Sequence, residues 1–497
     1  MTGTPSGPGK GKSTSPAGGN EIAYASAAEL GRRLRMREIS TVELVESTLR
    51  RIGALNPQLG AFLTVSAGRA RAEAANADVA ISNGYAIGPL HGIPFSVKDL
   101  EATEGVRTTY GSAVHRNNVP SEDSIGVSRL RAAGAILIGK TNTPEFGLLG
   151  ETKNLLGRDC RNPWNLQCTT GGSSGGAAAA VAAGLGPLAV GSDGAGSITA
   201  PSSFCGVFGL KPSTGRIPAW PIPSNSRMFV ATGPITRTVE DAALMLSVMS
   251  GPDSRDPISM HEPLLDFREN STKMAVAWSR DLGHFAVDPE VAASCEVALS
   301  AFRDRGWSVV EDTPAIPNPW VAYMPLFLGD EWASLGPLVE SAGDSFHPEA
   351  LAEIAPGRNV TISSYIRALS ELTQFKATMY EFFTRHDLLI MPTTAVTSFP
   401  AGRAPDLIGG GQVAPHWTTF MPFPVSWNMT GQPAASVVCG MSAAGLPVGM
   451  MIVGRVGRED NVLAAARIIE EAFPWKDRRP PLAHVMADRA VDEAVWM

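Results

Sequence analysis

"TTGGSSGGAAAAVAAGLGPLAVGSDGAGSITAPSSFCG", residues 169–206, holds almost nothing but glycine, alanine and small hydroxyl residues over a length that accommodates several secondary-structure elements. Glycine costs about 0.5–1 kcal/mol relative to alanine inside a helix or strand, so such a cluster marks tight turns or a main chain against which something lies closely. Its serines are therefore the first candidates for chemistry. The apolar "GPLAVG" leads into the turn "GSDGAGSITAP", and Ser197 stands at the end of that turn. Gly194, Ala195 and Gly196 leave N–H groups open to a substrate oxygen, as an oxyanion hole requires. A tight turn in a packed core is the competing reading.

Outward from this segment, "GIPFSVKDL" (92–100) and "AILIGKTN" (135–142) are short apolar runs flanked by Gly and Pro, with helical "SIGVSRLRAAG" between them. Alternation of strand and helix predicts an α/β sheet. Upstream, residues 26–56 read as two helices, with Ser40 and Glu43 spaced as a capping box and Val45, Leu49 and Ile52 at helical spacing. Downstream, helices are expected over 236–250 and 288–305, a strand over 273–278, mostly helix over 315–385 and a strand over 387–393. Residues 400–433 read as loop, then "AASVVCGM" and "PVGMMIVG" as buried strands and 459–473 as a final helix.

The chain has 497 residues, 44% of them hydrophobic and 18% charged, enough to bury a large core. Its formal net charge of −7 is spread without basic runs, so neither a nucleic-acid stripe nor a polybasic membrane patch is expected. Cys160, Cys168, Cys205, Cys295 and Cys439 are odd in number and irregularly spaced, which argues against a disulfide framework and for a reducing, cytoplasmic setting. Residues 1–21 carry no apolar core of a signal peptide and read as a disordered Gly/Ser/Pro-rich tail. The longest apolar run, around Ala177–Val190, is broken by Gly184, Gly186 and Pro187, and a soluble protein is expected.

Two motifs in the chain mislead. "GAILIGKT", Gly134–Thr141, matches the P-loop pattern, but the places between its glycines are Ala, Ile, Leu and Ile, the strand itself, so Lys140 is expected in an ordinary turn. Gly171-Gly172-Ser173-Ser174-Gly175 fits the nucleophile elbow of α/β-hydrolases, yet the preceding "NPWNLQCTT" is not the apolar strand that an elbow needs. None of the eight histidines sits in a triad or metal-ligand context, so no metal is expected. A serine nucleophile still needs a base. Lys98 in "GIPFSVKD" fits, because lysine is almost never buried unless paired and desolvation lowers its pKa from about 10.4 toward neutrality. An ion pair with Asp99 is the alternative.

Taken together, "GIPFSVKD", "GKTNTPEFG", "RNPWN", "GGSSGG" and "GSDGAGSI" followed by "FCGVFGLKP" resemble the amidase signature family of serine hydrolases, in this order and spacing, over roughly residues 22–480. The resemblance implies a single α/β/α domain on a large mixed twisted sheet, with a variable pocket region over about 315–430 and a C-terminal extension at 481–497. It also implies a Ser, cis-Ser, Lys triad: Ser197 as nucleophile, Ser173 as bridging serine after a cis bond from Gly172, and Lys98 as base. Backbone N–H groups from Gly194 to Ser197 would hold the oxyanion, and Ser174 would support the network. No cofactor is implied. The family usually has an arginine shortly after the nucleophile, often paired with the Asp of "GSD". Thr199 and Ala200 stand there, so Asp193 must find another partner, and small dicarboxylate-type amides are disfavoured.

"PHWTTFMPFPVSWNM" (415–429) and "AWPIPSNSRMF" (219–229) supply Trp220, Met228, Phe229, Trp417, Phe420, Phe423 and Trp427 as expected pocket residues, unless they are core. The expected substrates are bulky or aryl amides, with carbamates (urethanes) and esters as further substrates of a monomer or homodimer. "NMTGQPAASV" and "GREDNVLAAA" resemble the branch with nylon-oligomer hydrolases and arylacylamidases. Two other functions compete: the glutaminase-type subunit of a tRNA-dependent amidotransferase, and a noncatalytic binding protein of the same fold.

Overall fold

Short apolar runs flanked by glycine and proline become the strands of one mixed sheet of eleven strands. The computed structural model describes residues 22–85, 88–221, 228–270, 272–475 and 477–482. The expected tail at 1–21 and the extension beyond residue 482 lie outside them. In chain order the strands of this sheet are β1 (Phe62–Val65), β2 (Pro94–Lys98), β3 (Ile136–Thr141), β4 (Leu188–Asp193), β5 (Phe208–Lys211), β6 (Ala231–Thr236), β7 (Ala275–Trp278), β8 (Ser308–Glu311), β9 (Leu388–Pro392), β10 (Ala434–Met441) and β11 (Pro447–Gly454). Across the sheet they run β1-β3-β2-β4-β6-β5-β10-β11-β9-β7-β8. The neighbours β3, β2 and β4 are parallel, with Phe95 opposite Leu188 and Val97 opposite Val190. Their C-terminal ends therefore open on the same edge, where Lys98 and Asp193 end β2 and β4. Ligands of open α/β sheets bind outside such strand ends.

Helices cover both faces. Thr41–Leu59 opens with the expected capping box, Ser40 Oγ accepting from Glu43 N–H at 3.1 Å and Glu43 Oε2 from Ser40 N–H at 2.8 Å, and stops at Gly60 with φ 62°. The long helices Pro319–Ala342 and Ile362–Arg385 lie in the region expected to be helical. The second buries Ala368, Leu372, Phe375, Met379, Phe382 and Phe383, a stripe of helical period against the apolar cluster beside the site.

Several local expectations change. Residues 288–305 form two helices, Pro289–Ala298 and Ser300–Asp304. Thr236 ends β6, and the next helix, Val239–Met249, starts only after Thr238, whose Oγ1 accepts from Asp241 N–H at 3.2 Å. Asn165–Thr169 is a strand, but of a two-stranded sheet with Arg161–Asn162, so no strand of the central sheet feeds Gly171. Lys140 lies in β3, fully buried, and not in a turn. Its ammonium donates to Glu101 O, to Thr103 Oγ1 at 2.8 Å and to Thr108 Oγ1 at 3.1 Å, which makes that burial tolerable.

Candidate active site

The bare segment 169–206 supplies three pieces of the site. Its first glycines lead through a cis Gly172–Ser173 bond into the helix Gly175–Ala182, every residue of which is buried. Side chains would not fit here: a Cβ on Gly175 would meet Thr152 Oγ1 and Thr170 Oγ1 at 2.3 Å. The segment then runs up β4 and turns at Gly194–Ser197 before the short helix Thr199–Cys205. Ser174 ties these pieces together, its N–H donating to Ser197 O at 3.0 Å and its Oγ to Ser192 O at 3.1 Å.

Lys98, fully buried, donates from Nζ to Ser173 Oγ at 2.7 Å and to Ser192 O at 3.0 Å. Burial pulls its pKa down to about 7, against the opposing pull of the negative charges of Asp193 and Glu101. Asp99 is not its ion-pair partner: that carboxylate accepts from Thr109 N–H at 2.9 Å and from Thr109 Oγ1, and its coulombic partner is Lys140. Ser197, Ser173 and Lys98 line one cavity. Among the described residues no hydrogen bond joins Ser197 Oγ to Ser173 Oγ, as is common before a substrate draws such groups together.

The partner that Asp193 lacks in the sequence is the turn itself. Its Oδ1 accepts from Gly196 N–H at 2.7 Å, and its Oδ2 from Ile198 N–H at 2.6 Å and Thr199 N–H at 3.3 Å. A carboxylate folding the chain around itself replaces the arginine pair. This corrects the expected oxyanion donors, since the Gly196 N–H is committed to Asp193. The N–H groups of Gly194, Ala195 and Ser197 have no acceptor among the described residues. Asn428, which opens the "NMTGQPAASV" run but was given no role from sequence, braces the turn by donating from Nδ2 to Asp193 O and Phe229 O, both at 2.8 Å. Tyr323 Oη donates to Gly194 O at 3.1 Å.

The cavity walls are mainly apolar and aromatic, with Tyr110, Phe146, Trp220, Tyr323, Phe327 and Trp417 among them. Of the expected pocket residues, Trp220 and Trp417 lie on the wall. Met228 stands outside it, 40% exposed. Phe229, Phe420, Phe423 and Trp427 are buried in the apolar cluster behind it, because they supply the core under this loop region. Phe229 packs on Tyr323 at 5.3 Å between centroids, and Trp427 donates from Nε1 to Met451 Sδ. Sequence reasoning passed over Tyr323 and Phe327, whose four-residue spacing on a helix stacks their rings 5.4 Å apart. Among the described residues no histidine lines the cavity, and no three His, Cys, Asp or Glu side chains converge as a metal site.

With this geometry in place, comparison with known proteins defines the class. Residues 43–463 match the family model described as Amidase. The chain belongs to the amidase signature family and is an amidase, a hydrolase of amide C–N bonds. Among its relatives is an acylamidase of Rhodococcus erythropolis, 38% identical over 480 residues that span 94% of this chain and 99% of the relative. Another is a glutamyl-tRNA(Gln) amidotransferase subunit from Roseiflexus sp. (strain RS-1), 35% identical over 90% of this chain and 96% of its own. The solved structure of a bacterial aryl acylamidase superposes with TM-score 0.86 at 30% identity, covering 95% of this chain and 100% of that one. A 6-aminohexanoate cyclic dimer hydrolase superposes with TM-score 0.83 at 31% identity, covering 93% and 99%.

Proposed function

We propose that Ser197 is the nucleophile, Ser173 the proton relay and Lys98 the base of a hydrolase for bulky and aryl amides, with carbamates and esters as further substrates. The observation that carries this reading is the 2.7 Å contact of a fully buried Lys98 with Ser173 in the cavity that also holds Ser197. Neutral Lys98 takes the Ser173 proton, Ser173 takes that of Ser197, and Ser197 Oγ adds to the substrate carbonyl carbon. The oxygen of the tetrahedral intermediate gains charge where the unpaired N–H groups of Gly194, Ala195 and Ser197 can donate. On collapse the C–N bond breaks, Ser173 returns a proton to the leaving nitrogen, and water then hydrolyses the acyl-enzyme by the same relay. The aromatic walls support flat apolar groups, and a carbamate or ester carbonyl accepts the same attack.

The test is turnover of an anilide, a short aliphatic amide, glutamine and an aryl carbamate by the wild type and by Ser197→Ala. The expected result is hydrolysis of anilide and carbamate that Ser197→Ala abolishes. A preference for glutamine would instead support the role of an amidotransferase component, and activity surviving in Ser197→Ala would reopen Ser173 as nucleophile.

A further inference from the structure

The substrate cavity holds a charge that the proton relay leaves unused. Among the described residues that line it, the ionisable acids and bases of ordinary charge are Lys98, Glu101 and Glu331, with Lys98 the sole cation of that set. The Glu101 main chain is pinned from both sides: its N–H donates to Lys98 O at 3.0 Å, and its carbonyl accepts from the Lys140 ammonium and from Thr103 Oγ1 at 3.1 Å. The side chain is fixed too, Oε1 accepting from Thr232 Oγ1 at 2.9 Å. Among the described residues its other oxygen receives no donor, and no ion pair reaches the carboxylate. Glu101 is only half-buried, so the unpaired oxygen is served by solvent until a substrate displaces it.

We infer that this cavity selects amides that carry an ammonium group, with the Glu101 carboxylate as the acceptor for that cation. This rests on the proposed reading of the same cavity as the amide site. A neutral apolar substrate strips water from Glu101 and leaves a charge facing hydrocarbon, whereas an ammonium replaces that water with charge-assisted hydrogen bonds. Lys98 does not remove the mismatch, because the relay works only when Lys98 is neutral, and the carboxylate is then uncompensated from that side. A substrate anion meets the Glu101 carboxylate and is rejected. Preorganisation strengthens the preference, since backbone, side chain and strand end are all held before the ligand arrives.

Two measurements test it. The first is calorimetric affinity, on Ser197→Ala protein, for 4-(aminomethyl)acetanilide, 4-ethylacetanilide and 4-acetamidophenylacetate, and for 3-aminopropanoyl anilide against butanoyl anilide, which moves the cation to the acyl side. At least one cation is expected to bind about tenfold or more tightly than its neutral isostere. The anion is expected to be weakest, and adding Glu101→Gln to collapse the cation-to-neutral ratio toward one. Equal affinities, a preference for the anion, or a ratio that survives Glu101→Gln would overturn the inference. The order among ligands in protein with Glu101 intact decides even if the Glu101 variant fails to fold. The second is wild-type turnover of the same compounds, which fails for all of them if the aryl-amide reading is wrong, while the affinity ratios still judge Glu101.

Discussion

A lysine in the interior has two ways to exist: paired and charged, or neutral. Lys140 and Lys98 show both tendencies one strand apart. Lys140 gives its ammonium protons to a carbonyl and two threonine hydroxyls with Asp99 nearby, while Lys98 meets one serine hydroxyl and one carbonyl. Burial holds Lys98 at about 7, so the proposed base is neutral above that pH and protonated below it. kcat/KM for a neutral anilide should therefore fall as pH drops through about 7 and level off on the alkaline side. Lys98→Arg, which stays charged at every accessible pH, should lose about 10²–10⁴-fold at the plateau and lack that limb. A pH–rate profile of both proteins checks this, and an acid limb retained by Lys98→Arg would exclude Lys98 as its source. Lys98 was legible in the sequence because a lysine inside an apolar strand has few structural explanations. The role of Asp193 was not, because its partners are backbone N–H groups three to six residues on, and amides carry no side-chain signature.

At the scale of the element, the glycines of 169–206 divide by what surrounds them. The helix Gly175–Ala182 is wedged among β-strand ends, and a Cβ on Gly176 would stand 2.4 Å from Asn142 N and 2.6 Å from Ala61 O, both backbone atoms that cannot rotate away. Gly68, in the helix Ala67–Ser82, has nothing within 4 Å of that position. Replacing glycine by alanine in a helix gains at most about 1 kcal/mol, while overpacking a core costs about 1–3 kcal/mol. Gly68→Ala should thus raise the urea midpoint slightly and Gly176→Ala lower it clearly. Equal effects would mean that the small-residue composition of 169–206 is not set by space. The strands 94–98, 136–141, 388–392, 434–441 and 447–454 were readable because apolar runs bounded by Gly and Pro have few other uses. Less was readable where packing overrides local pattern. The two-stranded sheet at 161–169 draws on polar residues, and the aromatics of 415–429 divide between cavity wall and core according to which way a short helix turns. A linear sequence does not show that orientation.

Across the whole molecule, three lysines share one electrostatic situation at the strand ends. Lys98, Lys140 and Lys211 are at most 1% exposed and lie in β2, β3 and β5, and burial holds them at about 7, about 8 and about 8. Unfolded lysine titrates near 10.4, so below that pH the unfolded chain keeps protons that the folded chain has already released. Stability must then rise with pH across the folded values and be lost as pH falls through them, by up to about 1.4 kcal/mol per pH unit for each lysine fully neutral in the fold. Glu470 has the opposite sign: burial lifts it to about 7, so its contribution is present at low pH and already mostly lost by neutrality. The buried thiols Cys160, Cys205 and Cys295, pushed upward by burial and, for Cys295, first by its contact with Cys439, also oppose the rise, but only where unfolded thiols begin to ionise, near pH 8.5. Between pH 7 and 8 the lysines dominate, and Lys98, with the lowest value, supplies most of the slope. Urea-unfolding free energy in reductant should increase by about 1 kcal/mol over that unit of pH, and Lys98→Met should flatten the increase while Lys211→Met leaves most of it. A wild-type stability that is level or falls from pH 7 to 8 would show that the folded chain keeps these lysines charged, and the neutral base on which the proposed relay depends would go with it.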